Sequence, residues 1–302
     1  MVDIKKLKKN FEGRILSDFP LSKITSFGVG GLAELLVYPN NEKDLLTVLD
    51  FARERALPVN IIGRGTNLLV RDNGLRGLVI IIENGFKNIK INRDSIYVEA
   101  GISLSFLSKI LMEKEISGFE FAWGIPGSVG GAIIMNAGAF GSCISDYLKE
   151  VAVVTLDGKK KIYKREDMKF LYRKSNLQEK EEIIVSALFE IKKRDSSGEI
   201  LRRMKEIERI RRKTQPIGEK TAGSIFKNPK GDYAGRIIEK VGLKGKRIGG
   251  AVVSKIHANF IVNRGDAKAR DIENLIIYIE ERVKEKTGIK LVREVKILGS
   301  KD

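Results

Sequence analysis

The sequence holds one cysteine, Cys143, and one histidine, His257, among 302 residues. A single thiol excludes an internal disulfide. One Cys and one His also cannot supply the three or four nitrogen and sulfur ligands of an ordinary zinc site. No apolar run approaches the ~18–20 residues that span a bilayer. Lys5, Lys6, Lys8 and Lys9 near the start are not followed by the apolar stretch of a secretory signal. Aromatic residues make up only 7% of the chain, and it carries no zinc-finger or RNP-like pattern with which to read bases. These gaps lead to the expectation of a cytoplasmic protein without a metal, a membrane span or a nucleic-acid partner.

What the chain has in excess is positive charge. Fifty-six Lys and Arg against 39 Asp and Glu give a net +17, while 42% hydrophobic residues leave ample material for a core. Such an excess suits anionic partners, small phosphorylated molecules among them. Its densest run is Arg202 to Lys213, and Leu201 just before it recurs with Met204, Ile207 and Ile210 at three-residue spacing. That pattern reads as an amphipathic helix with a solvated basic face. A lysine- and glutamate-rich composition also occurs in heat-adapted proteins, which offers a second source for the charge.

Apolar periodicity predicts helices over Glu42–Ala56, Gly101–Lys114, Tyr233–Val241 and Ala269–Lys286. Strands are expected at Val59–Ile62, Leu78–Ile82, Ile96–Glu99, Ile183–Ile191, Ala251–Ser254, Ala258–Val262 and Lys290–Leu298. Asp157-Gly158 between Val151–Leu156 and Lys161–Lys164 signals a hairpin. The elements mix without a strict βαβ rhythm, so the fold class is α+β. The polar stretch Arg194 to Gly198 suggests a boundary between residues 1–193 and 194–302.

Gly28-Val29-Gly30-Gly31-Leu32-Ala33 imitates a dinucleotide fingerprint. That fingerprint needs a strand before it and a helix after it. Here Ile24–Phe27 is too short for the strand, and Pro39-Asn40 cuts off any helix beyond Ala33. Two other stretches are more informative: Gly63-Arg64-Gly65-Thr66-Asn67-Leu68, and Gly124 to Ala132 continued by Met135-Asn136-Ala137-Gly138-Ala139. Glycine lets backbone N–H groups approach phosphate oxygens closely. Arg64 adds charge, and Thr66, Asn67, Ser128 and Asn136 add hydrogen bonds. Each stretch alone reads as a structural loop; together they suggest a pyrophosphate cradle.

These loops resemble the FAD-binding loops of flavoproteins of the vanillyl-alcohol-oxidase type. The wider pattern resembles the UDP-N-acetylenolpyruvoylglucosamine reductase family, through Thr25 to Gly31, both glycine loops, Tyr172-Arg173, Ala222-Gly223-Ser224-Ile225-Phe226-Lys227-Asn228-Pro229, His257 to Asn263 and Glu294. The resemblance covers nearly the whole chain. It implies a two-subdomain FAD-binding region over residues 1–193 and an α+β substrate domain over 194–302, with the last strand returning to the active site. It implies non-covalent FAD held by Gly63, Arg64, Gly65, Thr66, Asn67, Pro126, Gly127, Ser128, Gly130, Gly131, Asn136 and Ala137. NADPH would be the electron-donating co-substrate and a UDP-linked enolpyruvyl amino sugar the substrate, contacted by Tyr172, Lys227 and Asn228. Ser224 would give a proton to the substrate, while Arg173 and Glu294 would stabilise its enolic intermediate. Outside that resemblance, Ser224 is an ordinary loop serine, Arg173 and Glu294 are surface charges, and His257 is structural. The interval from Ser224 to His257 is short, which points to the form of the family that lacks a tyrosine-bearing loop. The alternatives are another flavoenzyme of the same fold acting on an alcohol or hydroxy acid, and a non-enzymatic nucleic-acid-binding protein, which only the charge suggests. Many such flavoenzymes attach flavin to His or Cys, and neither glycine loop contains either residue.

Overall fold

The computed structural model describes residues 4–83 and 85–301. The chain forms two compact units, each around its own apolar core. The first comprises Met1–Ser17, Leu35–Arg64 and Gly77–Arg209; the second comprises Asp18–Glu34, Gly65–Arg76 and Ile210–Asp302. The division therefore falls at Arg209 and not near Lys193, and two early segments join the later unit. The polar stretch at 194–198 only leads into the helix Ser197–Thr214. Lys193–Arg194 pairs with Ile116–Ser117, and the Arg203 guanidinium donates to Glu120 and Asp195, which keeps the start of that helix in the first unit. Its buried stripe is Ile200, Met204, Ile207 and Arg211, with Leu201 exposed. A 3.6-residue period selects those positions over the strict threes expected from the sequence.

In the first unit a five-stranded antiparallel sheet runs in the order Lys160–Lys164, Leu148–Thr155, Glu182–Glu190, Ser95–Glu99, Ile89–Ile91. Its first two strands are the expected hairpin, and Gly158 at φ 83° makes the turn. A four-stranded sheet has the order Arg14–Pro20, Leu32–Tyr38, Leu75–Ile81, Val59–Ile62, the last pair parallel. The helix Glu42–Glu54 begins where the Asn41 side chain accepts from the Asp44 N–H, and it buries Leu45, Val48, Leu49 and Ala52. The Asp44 carboxylate is itself buried, and it accepts from the Glu12 and Asn40 N–H groups.

The second unit packs the helix Ala269–Thr287 through Ile272, Leu275, Ile276, Ile279 and Val283. The strands Arg247–Ile248, Ala251–Val253 and Ile261–Asn263 form an antiparallel sheet, and Lys296–Leu298 lies parallel to Leu68–Val70. Gly28 to Ala33 leads into the strand Leu32–Tyr38 and not a helix. A Cβ on Gly31 would lie 2.0 Å from the Asp72 carbonyl oxygen, so close backbone packing accounts for that glycine.

Candidate active site

In the first unit, Gly63 comes directly after the strand Val59–Ile62, and a Cβ there would meet only the Ser128 Oγ, at 2.9 Å. Arg64 pairs with Glu83. Ser128 caps the helix Val129–Met135, its hydroxyl accepting from the Gly131 N–H at 3.3 Å. The N–H groups of Val129 and Gly130 are already committed to the Ile102 and Ala100 carbonyls. A Cβ on Gly130 would come within 3.0 Å of the Ala100 Cβ, so this glycine serves helix packing. Gly131 differs: it is exposed, and a Cβ there would meet only Ser128 Oγ at an ordinary 3.4 Å. A glycine that costs a helix about 1 kcal/mol and is not required by packing fits close approach of a ligand.

Asn136 ends that helix in the left-handed region, φ 45° and ψ 57°. Its Nδ2 donates to the Leu171 carbonyl at 3.0 Å, while its buried Oδ1 has no partner among the described residues. A buried acceptor of this kind calls for a donor from outside the chain. The bond to Leu171 ties the second glycine loop to the turn Tyr172-Arg173, which joins the paired strands Phe170–Leu171 and Lys174–Ser175. Arg173 stands at φ 55°, and its guanidinium lies 5.2 Å from the centre of the exposed Tyr172 ring. Cys143, just downstream of the loop, donates its thiol to Asp146 at 3.1 Å. Burial is the main cause that raises the pKa of its thiol.

In the second unit the chain from Ser224 to Lys227 is held on both sides. Ser224 bridges to Phe260, and the Ile225 N–H donates to the Asn259 carbonyl at 2.8 Å. Opposite, the Glu294 N–H donates to the Ile225 carbonyl at 2.8 Å, and the Lys227 N–H to that of Val292 at 2.8 Å. The Asn259 amide accepts from the Phe226 N–H at 3.0 Å and donates to the Phe226 carbonyl at 2.8 Å, which pins the segment by a side chain as well. Asn67 donates to the Glu294 carbonyl at 3.1 Å through its side chain, and its own carbonyl accepts from the Lys296 N–H at 3.0 Å. Ser224, Glu294 and Asn67 are thus set on one small framework. Gly65, at φ 64°, accepts from the Ser26 N–H, and a Cβ there would strike the Ile24 carbonyl.

A cleft of about 320 Å³ opens at Ser224, lined also by Asn228, Tyr233, Ile256, His257 and Asn259. The Asn228 side-chain oxygen accepts from the Ala234 N–H at 3.1 Å and so caps the helix Ala234–Lys240. His257 takes the space over Gly235 and lies 4.9 Å from the Phe260 ring centre. Its Nδ1 accepts from the Asn259 N–H at 3.1 Å, which requires that nitrogen to be unprotonated. Burial first, then Lys244, lowers its pKa. His257 therefore combines the structural role expected from the sequence with a place in the cleft wall. Tyr233 and Ile256, both exposed beside Ser224, were not singled out by any sequence pattern; only the flanking motifs could have located them.

Among the described residues there is no group of three or more His, Cys, Asp or Glu that could hold a metal ion, and no helix is long and apolar enough to cross a membrane.

Comparison with known proteins gives the same picture in both halves. A family profile described as an FAD binding domain matches residues 33–161, and one described as the C-terminal domain of UDP-N-acetylenolpyruvoylglucosamine reductase matches residues 215–298. The UDP-N-acetylenolpyruvoylglucosamine reductase of Caldanaerobacter subterraneus subsp. tengcongensis is 43% identical over 96% of this chain and 95% of its own. That of Lactobacillus delbrueckii subsp. bulgaricus is 45% identical over 93% of this chain and 94% of its own. The crystal structure of the enzyme of the same name from Thermus caldophilus superposes with a TM-score of 0.80 at 36% identity, covering 95% of this chain and 99% of the other.

Proposed function

The chain belongs to the UDP-N-acetylenolpyruvoylglucosamine reductase family, and from that premise we propose how its own residues carry the reaction. It is an FAD-containing oxidoreductase that reduces the enolpyruvyl group of UDP-N-acetylglucosamine-enolpyruvate to UDP-N-acetylmuramate with NADPH, in peptidoglycan precursor synthesis. The observation that carries the assignment of roles is the clamped Ser224–Lys227 segment, with Ser224 in a cleft and Glu294 on the adjoining strand.

FAD, when bound, supplies the hydride that adds to the β-carbon of the enolpyruvyl ether. The residues present fit such a group: Gly131 is open to close approach, and Asn136 keeps a buried acceptor without a partner among the described residues. Gly63, Arg64, Gly65, Thr66, Asn67, Pro126, Gly127, Ser128 and Ala137 complete the set we assign to it, with Gly130 supporting the helix beneath. Charge then builds on the α-carbon and carboxylate of the substrate. Arg173 has the planar fork that matches a carboxylate, and Glu294 stabilises the enolic oxygen. Ser224 delivers the proton to the α-carbon. Lys227 and Tyr172 contact the substrate, while Asn228 shapes the cleft by capping the neighbouring helix. The interval between Ser224 and His257 holds the helix Ala234–Lys240 and short strands, which supports the form without a tyrosine loop. The same reading makes the partners small anions in the cytoplasm, not nucleic acid or a membrane surface.

The test separates the two halves of the reaction by single-turnover stopped flow. Ser224→Ala is expected to bind FAD and to be reduced by NADPH at a near-normal rate. Reoxidation by the enolpyruvyl substrate is expected to slow by ~10²–10⁴-fold, the usual worth of a positioned general acid. Ser224→Cys should recover part of that loss. Slow reduction with intact reoxidation would remove Ser224 from the proton-donor role.

A further inference from the structure

The second unit carries another cleft, of about 440 Å³, that shares no residue with the one at Ser224. It opens between the turn Gly242 to Lys246 and the outer face of the helix Ala269–Thr287. Val241 and Leu243, both buried, are among the residues that line it. Its walls are Lys244, Lys246, Tyr278, Arg282 and Lys286. Lys244 pairs with Glu239 and Arg282 with Glu285, each at 2.7 Å, so four cations meet two carboxylates. Lys286 leans on the Val241 carbonyl at 3.4 Å. The Tyr278 hydroxyl accepts from the Arg282 Nε at 3.3 Å. That bond, together with the charge of Lys246, lowers the phenol's pKa, the response expected of a group in a positive potential.

The chemistry of the walls sets the ligand class. Two cations lie over the tyrosine ring, Lys246 at 4.6 Å and Arg282 at 5.5 Å from its centre, so a base would have to compete with them to stack there. With Arg282 and Lys244 each held by a carboxylate, the donors that carry the surplus charge are the Lys246 and Lys286 ammonium groups, point charges of the kind that bind phosphate oxygens. The volume is that of a small-molecule site. We propose that this cleft binds the condensed phosphate of a small ligand, a di- or triphosphate, through its charge alone. The inference does not depend on the residue roles assigned at Ser224.

Isothermal titration of the FAD-loaded enzyme with inorganic tripolyphosphate, at about 0.05 M salt to limit screening, tests it. Wild type is expected to bind with Kd below ~1 mM, a modest affinity for a charge-only site. The double variant Lys246→Gln, Lys286→Gln should bind at least ~10-fold more weakly, because two charge-assisted contacts are gone. Lys246→Arg with Lys286→Arg should stay within about threefold of wild type, since charge is kept. Adenosine triphosphate should match tripolyphosphate. Affinity unchanged in the Gln variant would place the phosphate elsewhere, such as the Ser224 cleft, and overturn the proposal. An adenosine triphosphate affinity more than ~10-fold above that of tripolyphosphate would overturn recognition by phosphate alone.

Discussion

Arg173 holds a backbone conformation, φ 55°, that costs a residue with a Cβ about 1–2 kcal/mol. The paired strands on either side, the Asn136 bond to Leu171 and the Gln178 bond to the Arg173 carbonyl hold it there. Strain of this kind at a charged residue fits a role that glycine could not perform. Arg173→Gly should therefore leave stability within about 1 kcal/mol of wild type, since relief of strain offsets the entropy of glycine and the lost contact with Tyr172. Activity should still fall by ~10²-fold or more, the scale of a lost charge-stabilising donor. Thermal midpoints and kcat/KM measured on the same preparations decide it; a loss of more than ~2 kcal/mol in stability would make Arg173 a structural residue. Ser224, Lys227, Asn228 and Glu294 were singled out by a distinctive local motif or a matching terminal residue, and the backbone bonds of the structure set Ser224, Lys227 and Glu294 on one framework. Asn259 was legible only as a member of His257 to Asn263. Its amide spans to Phe226, 33 residues away, a pairing that local pattern does not reveal. Gly130 was legible as a glycine but not for its reason, which is Ala100 behind it.

Elements with strong periodicity were read nearly to their ends: Glu42–Glu54, Leu104–Glu113 and Ala269–Thr287 match apolar stripes, and Gly158 marks its hairpin. The helix Val129–Met135 escaped because Gly130 and Gly131 weaken its propensity and it has no polar face to set a period. The last strand is paired with Leu68–Val70 only over Lys296–Leu298. Residues 292–294 instead bond to Ile225 and Lys227, a partner chosen by tertiary structure. Another long-range dependence concerns the helix Ala269–Thr287. Its first N–H groups, those of Ala269 and Arg270, donate to the Asp72 carboxylate at 3.0 Å each, from 197 and 198 residues away. A carboxylate at a helix N-terminus both satisfies donors and opposes the macrodipole. Asp72→Ala should cost about 1–2 kcal/mol, and Asp72→Asn should recover only part of that, because the amide oxygen can accept from one of the two N–H groups while its NH2 cannot accept from the other. Hydrogen exchange should quicken in the first turn of that helix in the Ala variant and to a lesser degree in the Asn variant. Uniform exchange across the unit in both would show that the cap is not what holds this end.

The whole chain carries a net +17, and two explanations compete for it. Part of the basic surface is tied up locally, as in Arg71 with Glu273 and Arg293 with Glu280, and such pairs serve packing or heat resistance more than capture. Fifty-six cations against 39 anions still leave a surplus that these pairs do not absorb. A UDP-sugar with an enolpyruvyl carboxylate and a phosphorylated nicotinamide dinucleotide are both polyanions, and a positive field raises their encounter rate. The consequence is specific. Raising ionic strength from about 0.02 to 0.3 M shrinks the Debye length from roughly 20 Å to below 10 Å, so kcat/KM for both substrates should fall several-fold. The chemical step lies after capture, so kcat should hold. If the surplus instead serves ion-pair stability, salt should lower the thermal midpoint while kcat/KM stays level. If it serves nucleic acid, a duplex or single strand should bind well below ~10⁻⁶ M at physiological salt. Exposed Arg202 and Lys205 on the helix Ser197–Thr214 allow a check without touching the proposed site. Changing both to Gln should flatten the salt dependence of kcat/KM and leave kcat and the thermal midpoint in place. A double variant whose kcat/KM keeps the full wild-type salt slope would show that this helix does not contribute to the steering field.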